Sequence, residues 1–190
     1  MPFYPRVRFA RLETPRLILR PFEERDILPF TAYRSDPEVA RYQGWSAPFL
    51  PAEAARFVAE MIQARPGTPG EWYQVALELK ADGDMIGDCA FCVSADGRQA
   101  EIGYTLARRY QGQGYASEFL ARLLDYLFFD LNLHRVHADL DPENIPSARL
   151  LERLGLRREG HFVESLWFKG RWADEAWYAI LQQEWLKLRM

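Results

Sequence analysis

"RRYQGQGYASEFL", residues 108–120, sets Gly112 and Gly114 directly ahead of an apolar periodic segment. Glycines there remove the Cβ atoms that would hold a ligand away from the backbone, and both can take positive φ. The first-turn N–H groups of the helix that follows lack intrahelical acceptors and sit at the positive end of its dipole. A phosphate group suits such a turn best. The plain alternative is a tight connector that binds nothing.

The hydrophobic period changes on either side of this turn. Upstream, "EWYQVALELK" and "MIGDCAFCVS" flank "ADGD", where Asp82 and Gly83 signal a hairpin; "ADGR" at 95–98 is a second turn and "AEIGYTLA" the next strand. These segments read as an antiparallel meander. Earlier still, "RLILRPF" is a short strand ended by Pro21, and "EERDILPFTAYRSD" is a helix with Ile27, Phe30 and Tyr33 or Arg34 at helical spacing, broken at "DPE". A second helix spans about Ala52 to Ala64, opened by Pro51 and closed before the loop "RPGTPG".

Downstream, Tyr115 to about Phe129 is the strongest helix, with Phe119, Leu120, Leu123, Leu124, Leu127 and Phe128 on one wide face. "RVHADL" is a strand, "DPENIPSARLLERLG" a turn and a helix stopped by Gly155, and "FVESLWFKGRWADEAWYAIL" a hairpin turning at Gly170. The predicted fold is an α/β (α+β) domain, residues 1–190, whose largely antiparallel sheet carries helices on both faces.

Composition narrows the function classes. The chain is 48% hydrophobic and 27% charged, which excludes a disordered or fibrous protein. A net charge of −3 argues against nucleic-acid binding, whose footprint is a basic stripe. "MPFYPRVRFARLETPRL" has no unbroken apolar core and no small-residue cleavage site, so no secretory signal is expected. No segment reaches the ~18 apolar residues of a membrane span. Cys89 and Cys92 are spaced C-x-x-C, but on a strand their Cα atoms stand about 10 Å apart on opposite faces. They are therefore expected to be buried reduced thiols in a cytoplasmic protein. His134, His137 and His161 lack metal-ligand spacing and are expected in structural roles, so no metal is predicted.

Two phosphate motifs fit poorly. No G-x-x-x-x-G-K-[ST] is present. "GQGYAS" with Asp139 on the next strand is a partial dinucleotide fingerprint, but Ser117 stands where a third glycine packs the helix, and the motif follows a meander rather than opening a parallel unit.

A third resemblance explains more of the chain. "RYQGQG" at 109–114 resembles the Q/R-x-x-G-x-G/A pyrophosphate loop of the GNAT acetyltransferases, and "AEIGYTLARRYQGQGYASE" and "NIPSARLLERLGL" are similar to that family's central blocks, in order. The "TPRLILRP" start and the "KGRW" hairpin resemble most closely the branch of ribosomal-protein N-terminal acetyltransferases.

The resemblance implies a mixed sheet with a splayed central parallel strand pair, and acetyl-CoA as cosubstrate without a metal. It implies that the pyrophosphate lies on the amides of about Gln111, Gly112, Gln113, Gly114, Tyr115 and Ala116. Arg108 and Arg109 would add charge, and the strand from Glu101 to Leu106 would line the pantetheine arm. A bulge in that strand would open the slot, with an amide near Tyr104 polarising the acetyl carbonyl. Asn144 would hydrogen-bond the arm, though a helix cap is its plain role. Ser147 would contact the sulfur or a water. Some relatives carry a tyrosine acid where this chain has Leu151.

An alkyl ammonium must lose a proton before it attacks a thioester, so a general base is expected. Glu101 is the first candidate, ahead of Asp88, Glu78 and Glu164. Attack is expected to be direct, since neither cysteine has an activating neighbour in sequence. Tyr42, Trp45, Trp167, Phe168 and Trp172 are candidates to frame the amine. The rival readings are a nucleotide-dependent oxidoreductase and an acyl-CoA-binding module without catalysis. The acceptor's identity, and whether the chain is a homodimer, stay open.

Overall fold

The structure, a computed structural model, describes residue 9 and residues 11–190. Most of the opening stretch in which no secretory signal was expected, residues 1–8 and 10, lies outside the described residues. Eight strands form one sheet: β1 (Leu12–Glu13), β2 (Leu17–Arg20), β3 (Trp72–Leu79), β4 (Met85–Val93), β5 (Gln99–Leu106), β6 (Arg135–Leu140), β7 (Arg157–Phe168) and β8 (Arg171–Leu181). Their order is β1-β2-β3-β4-β5-β6-β8-β7, and every neighbouring pair is antiparallel except β5 and β6. The helices are α1 (Ile27–Arg34), α2 (Pro37–Ala40), α3 (Pro51–Gln63), α4 (Tyr115–Asp125), α5 (Ile145–Arg153) and α6 (Gln182–Arg189).

Strand alternation divides the core into two layers. Val75 and Leu77 of β3, with Ile86, Cys89 and Phe91 of β4, pack against Phe119, Leu120, Leu123 and Leu124 of α4 and against Leu150 and Leu151 of α5. Ala76 of β3 and Met85 of β4 face the other way, onto Phe30, Tyr33, Ala54 and Val58 of α1 and α3. Each fully buried Leu or Phe in these layers contributes about 1.5–3 kcal/mol. The predicted helices on both faces are therefore present. Cys89 is buried and Cys92 only half-buried, and both are free thiols. The expectation of two buried thiols holds only for Cys89, because Cys92 lies on the face that the helices leave partly uncovered.

Three local readings change. "DPE" does break α1, but Asp36 then caps α2 by accepting from the Glu38 N–H at 3.0 Å, with Pro37 in its first turn. The strong helix runs on past α4 as a wider π turn over Tyr126–Asp130. The tail after β8 is helical: Trp185 of α6 is buried, and its indole N–H donates to Asp125 at 2.9 Å.

Candidate active site: a split strand pair and a glycine turn

β5 and β6 pair only over Gln99–Glu101 and Arg135–His137. Beyond that they separate and leave a slot. β5 stays in register with β4 from Ala100 to Leu106 without interruption, so the expected bulge is not what opens the pair. Each strand keeps its other neighbour, β5 with β4 and β6 with β8, so the pair parts between two strands that each follow their own side of the sheet.

Alternate peptide groups of β5 face this slot. The Gln43 amide donates to the Tyr104 carbonyl at 3.4 Å and the Gln111 amide to the Leu106 carbonyl at 2.9 Å, so both carbonyls point away from β4. In an antiparallel pair a residue's N–H points to the same side as its C=O, which turns the Tyr104 amide into the slot as well.

At the end of β5 the chain turns through Arg108–Tyr110 into the glycines. Gly112 and Gly114 have φ of 73° and 80°, and Gly114 caps α4. The Gln111 N–H closes the preceding turn on the Arg108 carbonyl at 3.2 Å, so it is not bare. Among the described residues, the N–H groups of Gly112, Gln113, Gly114, Tyr115, Ala116 and Ser117 have no hydrogen-bond partner. Two glutamines brace the loop, Gln111 as above and Gln113 by donating to the Arg109 carbonyl at 2.8 Å.

Arg16 is a brace that sequence reasoning missed. Its guanidinium donates to the Gln113 carbonyl at 3.0 Å, pairs with Glu118 at 2.6 Å and lies 4.2 Å from the centre of the Tyr115 ring. Thr14 also donates to Glu118, at 2.5 Å. The signal was the "TPRL" start itself, but nothing local in it names a partner a hundred residues away. Arg108 and Arg109 pair with Asp36 at 3.0 Å and Asp84 at 3.3 Å, both exposed.

The two faces of β5 carry different chemistry. Glu101 lies on the α1 and α3 face, opposite Cys92 of β4 and His137 of β6. Asp139 follows two residues on along the same face, and Glu175 and Trp177 of β8 continue it. Burial pushes the Glu101 carboxyl up to about 7, and a shared hydrogen bond and like charge from Asp139, then the charge of Glu175, push the same way. His137 stacks on Trp177 with ring centres 5.4 Å apart, and Phe162 meets Trp177 at 5.9 Å. His137 therefore stands beside the first-choice base, and Trp177, not among the aromatics named from sequence, stacks on that histidine.

Tyr104 lies on the opposite face, three residues from Glu101, with its ring 6.4 Å from Phe119. Its hydroxyl and that of Ser147 on α5 are 2.5 Å apart, which joins two of the predicted residues across the slot. Burial pushes the phenol up to about 12. Leu151 is fully buried. Asn144 caps α5, accepting from the Ser147 N–H at 3.3 Å; this is its plain role, and its amide nitrogen is left for another partner.

The other carboxylates are engaged elsewhere. Asp88 is buried beneath α1, held by the Tyr33 hydroxyl and the Gln74 amide, with Arg34 at 3.5 Å. Glu78 pairs with Arg20 at 2.6 Å and Arg25 at 2.7 Å. Glu164 sits in an irregular stretch of β7, its N–H donating to Asp174 at 2.9 Å. Trp45 packs on the Arg34 guanidinium at 3.8 Å, and Trp167 and Trp172 meet edge to face at the exposed hairpin tip.

The turn fits a coenzyme pyrophosphate on two observations: consecutive unpartnered amides and absent Cβ atoms at one helix start. No helix among the described residues is long and apolar enough to cross a membrane.

Comparisons with known proteins identify the family. The model of the acetyltransferase (GNAT) domain family matches residues 16–157. The uncharacterized N-acetyltransferase p20 of Bacillus licheniformis is 37% identical, covering 91% of this chain and 97% of that protein. The [ribosomal protein uS5]-alanine N-acetyltransferase of Escherichia coli is 27% identical over 93% of each chain. A GNAT acetyltransferase structure from Bacillus anthracis superposes with a TM-score of 0.84 at 31% identity, covering 92% of this chain and all of that one. Spermidine N-acetyltransferase from Vibrio cholerae, solved with CoA and spermine, gives 0.76 at 27% identity, covering 90% and 98%.

Proposed function

We infer the roles of individual residues from one premise: the chain belongs to the GNAT acetyltransferase family and is an N-acetyltransferase that moves an acetyl group from acetyl-CoA to an amine. Nothing in the comparisons favours an oxidoreductase, and Asp139, which that reading needed near the glycines, lies on the sheet face away from α4.

The amides from Gly112 to Ser117 hold the pyrophosphate, and Asn144 and the slot-facing peptide groups of β5 hold the pantetheine arm. Acetyl-CoA supplies the thioester carbon that the amine attacks. Glu101, directly or through a water, takes the ammonium proton before that attack. With its carboxyl near 7, it is partly deprotonated at neutral pH and still basic enough to accept. The Tyr104 N–H donates to the carbonyl oxygen as negative charge grows there. As the C–N bond forms the nitrogen gives up its second proton and the C–S bond breaks, while one hydroxyl of the Tyr104–Ser147 pair, protonated at neutral pH, donates to the departing sulfur and the other donates to its partner.

The acceptor reaches the slot from the Glu101 face, where Asp139 and Glu175 favour an amine that carries further positive charge. The Vibrio cholerae relative is named for such a substrate, spermidine, and the Escherichia coli relative for a ribosomal alanine. A cytoplasmic setting suits free thiols and a coenzyme A substrate.

The run of unpartnered amides behind Gly112 carries this reading. Replacing Gly112 with Asp adds bulk at a positive-φ position and a charge facing the diphosphate. The variant is expected to fold and to bind acetyl-CoA about a hundredfold more weakly by calorimetry. Equal affinity would sink the assignment.

A further inference from the structure

The tip of the hairpin between β7 and β8 lies beside the segment that follows α2. Trp167 pairs with Trp172 and Phe168 with Arg171, leaving Lys169 and Gly170 as a two-residue turn with φ of 48° and 81°. Positive φ at both central positions is the type I′ geometry, in which asparagine or aspartate usually precedes the glycine. A lysine there is a costlier choice for the backbone, so its side chain calls for an explanation.

That side chain spans two elements. The Lys169 ammonium donates to the Ala40 carbonyl at 2.6 Å and to the Trp45 carbonyl at 2.7 Å, gripping both ends of the segment 41–45 that follows α2. Within the segment, Gln43 donates to the slot-facing carbonyl of Tyr104, and the Trp45 indole N–H donates to the Arg34 carbonyl at 3.0 Å. Arg171, beside the turn, reaches Asp141 at 3.3 Å, and the Tyr42 hydroxyl donates to the Glu143 carbonyl at 3.4 Å. Apolar burial does not anchor the tip, because Trp167 and Trp172 are 60% and 55% exposed.

We propose that Lys169 is a positioning residue for the acceptor amine: it holds segment 41–45, whose Gln43 reaches the slot-facing Tyr104 carbonyl, against the hairpin tip and so sets the wall against which the amine is presented. The proposal rests on the reading that the slot between β5 and β6 takes the thioester. It requires that the acceptor, and not acetyl-CoA, senses the loss of the ammonium. The coenzyme's anchor at Gly112–Ser117 belongs to α4 and its preceding turn, which Lys169 does not touch.

The test compares the full-length chain with Lys169→Met and Lys169→Arg, using a linear triamine and a short peptide with a free amino terminus as acceptors. Lys169→Met should raise the acceptor KM about tenfold and leave the acetyl-CoA KM within about twofold. Hydrogen exchange should quicken over 41–45 but not over 112–120. Lys169→Arg, which keeps a cationic donor, should restore most of both. Unchanged exchange over 41–45, an unchanged acceptor KM, or an equal rise in both KM values would each overturn the proposal. Failure of the unaltered chain to bind acetyl-CoA by calorimetry would bring down the slot reading first, and this inference with it.

Discussion

On the face of β5 turned to α1 and α3, Glu101 stands among the ionisable side chains Asp139, Glu175 and His137; on the face turned to α4 and α5, Tyr104 meets the Ser147 hydroxyl. Burial raises both titrations, but with opposite chemical results. A carboxyl raised to about 7 becomes a base usable at neutral pH, whereas a phenol raised to about 12 becomes a donor that stays protonated. One strand thus sets an ionisable carboxyl on one side and a pair of hydroxyls on the other, by the period of 2 that sends Glu101 and Tyr104 to opposite faces.

The sharpest way to break this comparison is Glu101→Gln. It removes the base and leaves the coenzyme face untouched, so kcat should fall by roughly a hundredfold to a thousandfold while acetyl-CoA affinity by calorimetry stays the same. A parallel loss of coenzyme binding would show that the faces are not separate. Tyr104→Phe strikes the other face and keeps the ring against Phe119; about a tenfold fall in kcat is expected, read in steady-state assays of thiol release. If Tyr104→Phe costs more than Glu101→Gln, the assignment of roles is reversed.

The smallest effect concerns pH. Activity that needs ionised Glu101 should rise with pH through about 7 in the unaltered enzyme. Asp139→Asn removes a like charge that helps hold that carboxyl up, so the acidic limb of kcat/KM should move to lower pH. An unmoved limb would exclude Asp139 as the neighbour that tunes the base.

Much of the fold was legible because its signals are local. The apolar face of α4, the turn at Gly83 and the glycines at 112 and 114 each declare themselves within a dozen residues. The site was legible only in part, since its working contacts join distant segments. Nothing near Tyr104 foretells Ser147, and nothing near Glu101 foretells Glu175. Asp88 shows the limit from the other side. Its place on a strand marks a carboxylate among apolar residues, but only Tyr33 and Gln74, brought in from α1 and β3, make it a buried structural group. The slot too was expected from a bulge, but it lies where β5 keeps to β4 and β6 keeps to its other neighbour, β8, long-range pairings no alternation pattern records.

That neighbour has a consequence for biogenesis. Since β8 lies between β6 and β7, the β8-facing edge of β6 has no strand partner until residues 171–181 have left the ribosome. The meander and α4 can assemble beforehand, but the slot between β5 and β6 is one of the last features a nascent chain can complete, and a ribosome stalled before that point would display a strand edge open to mispairing.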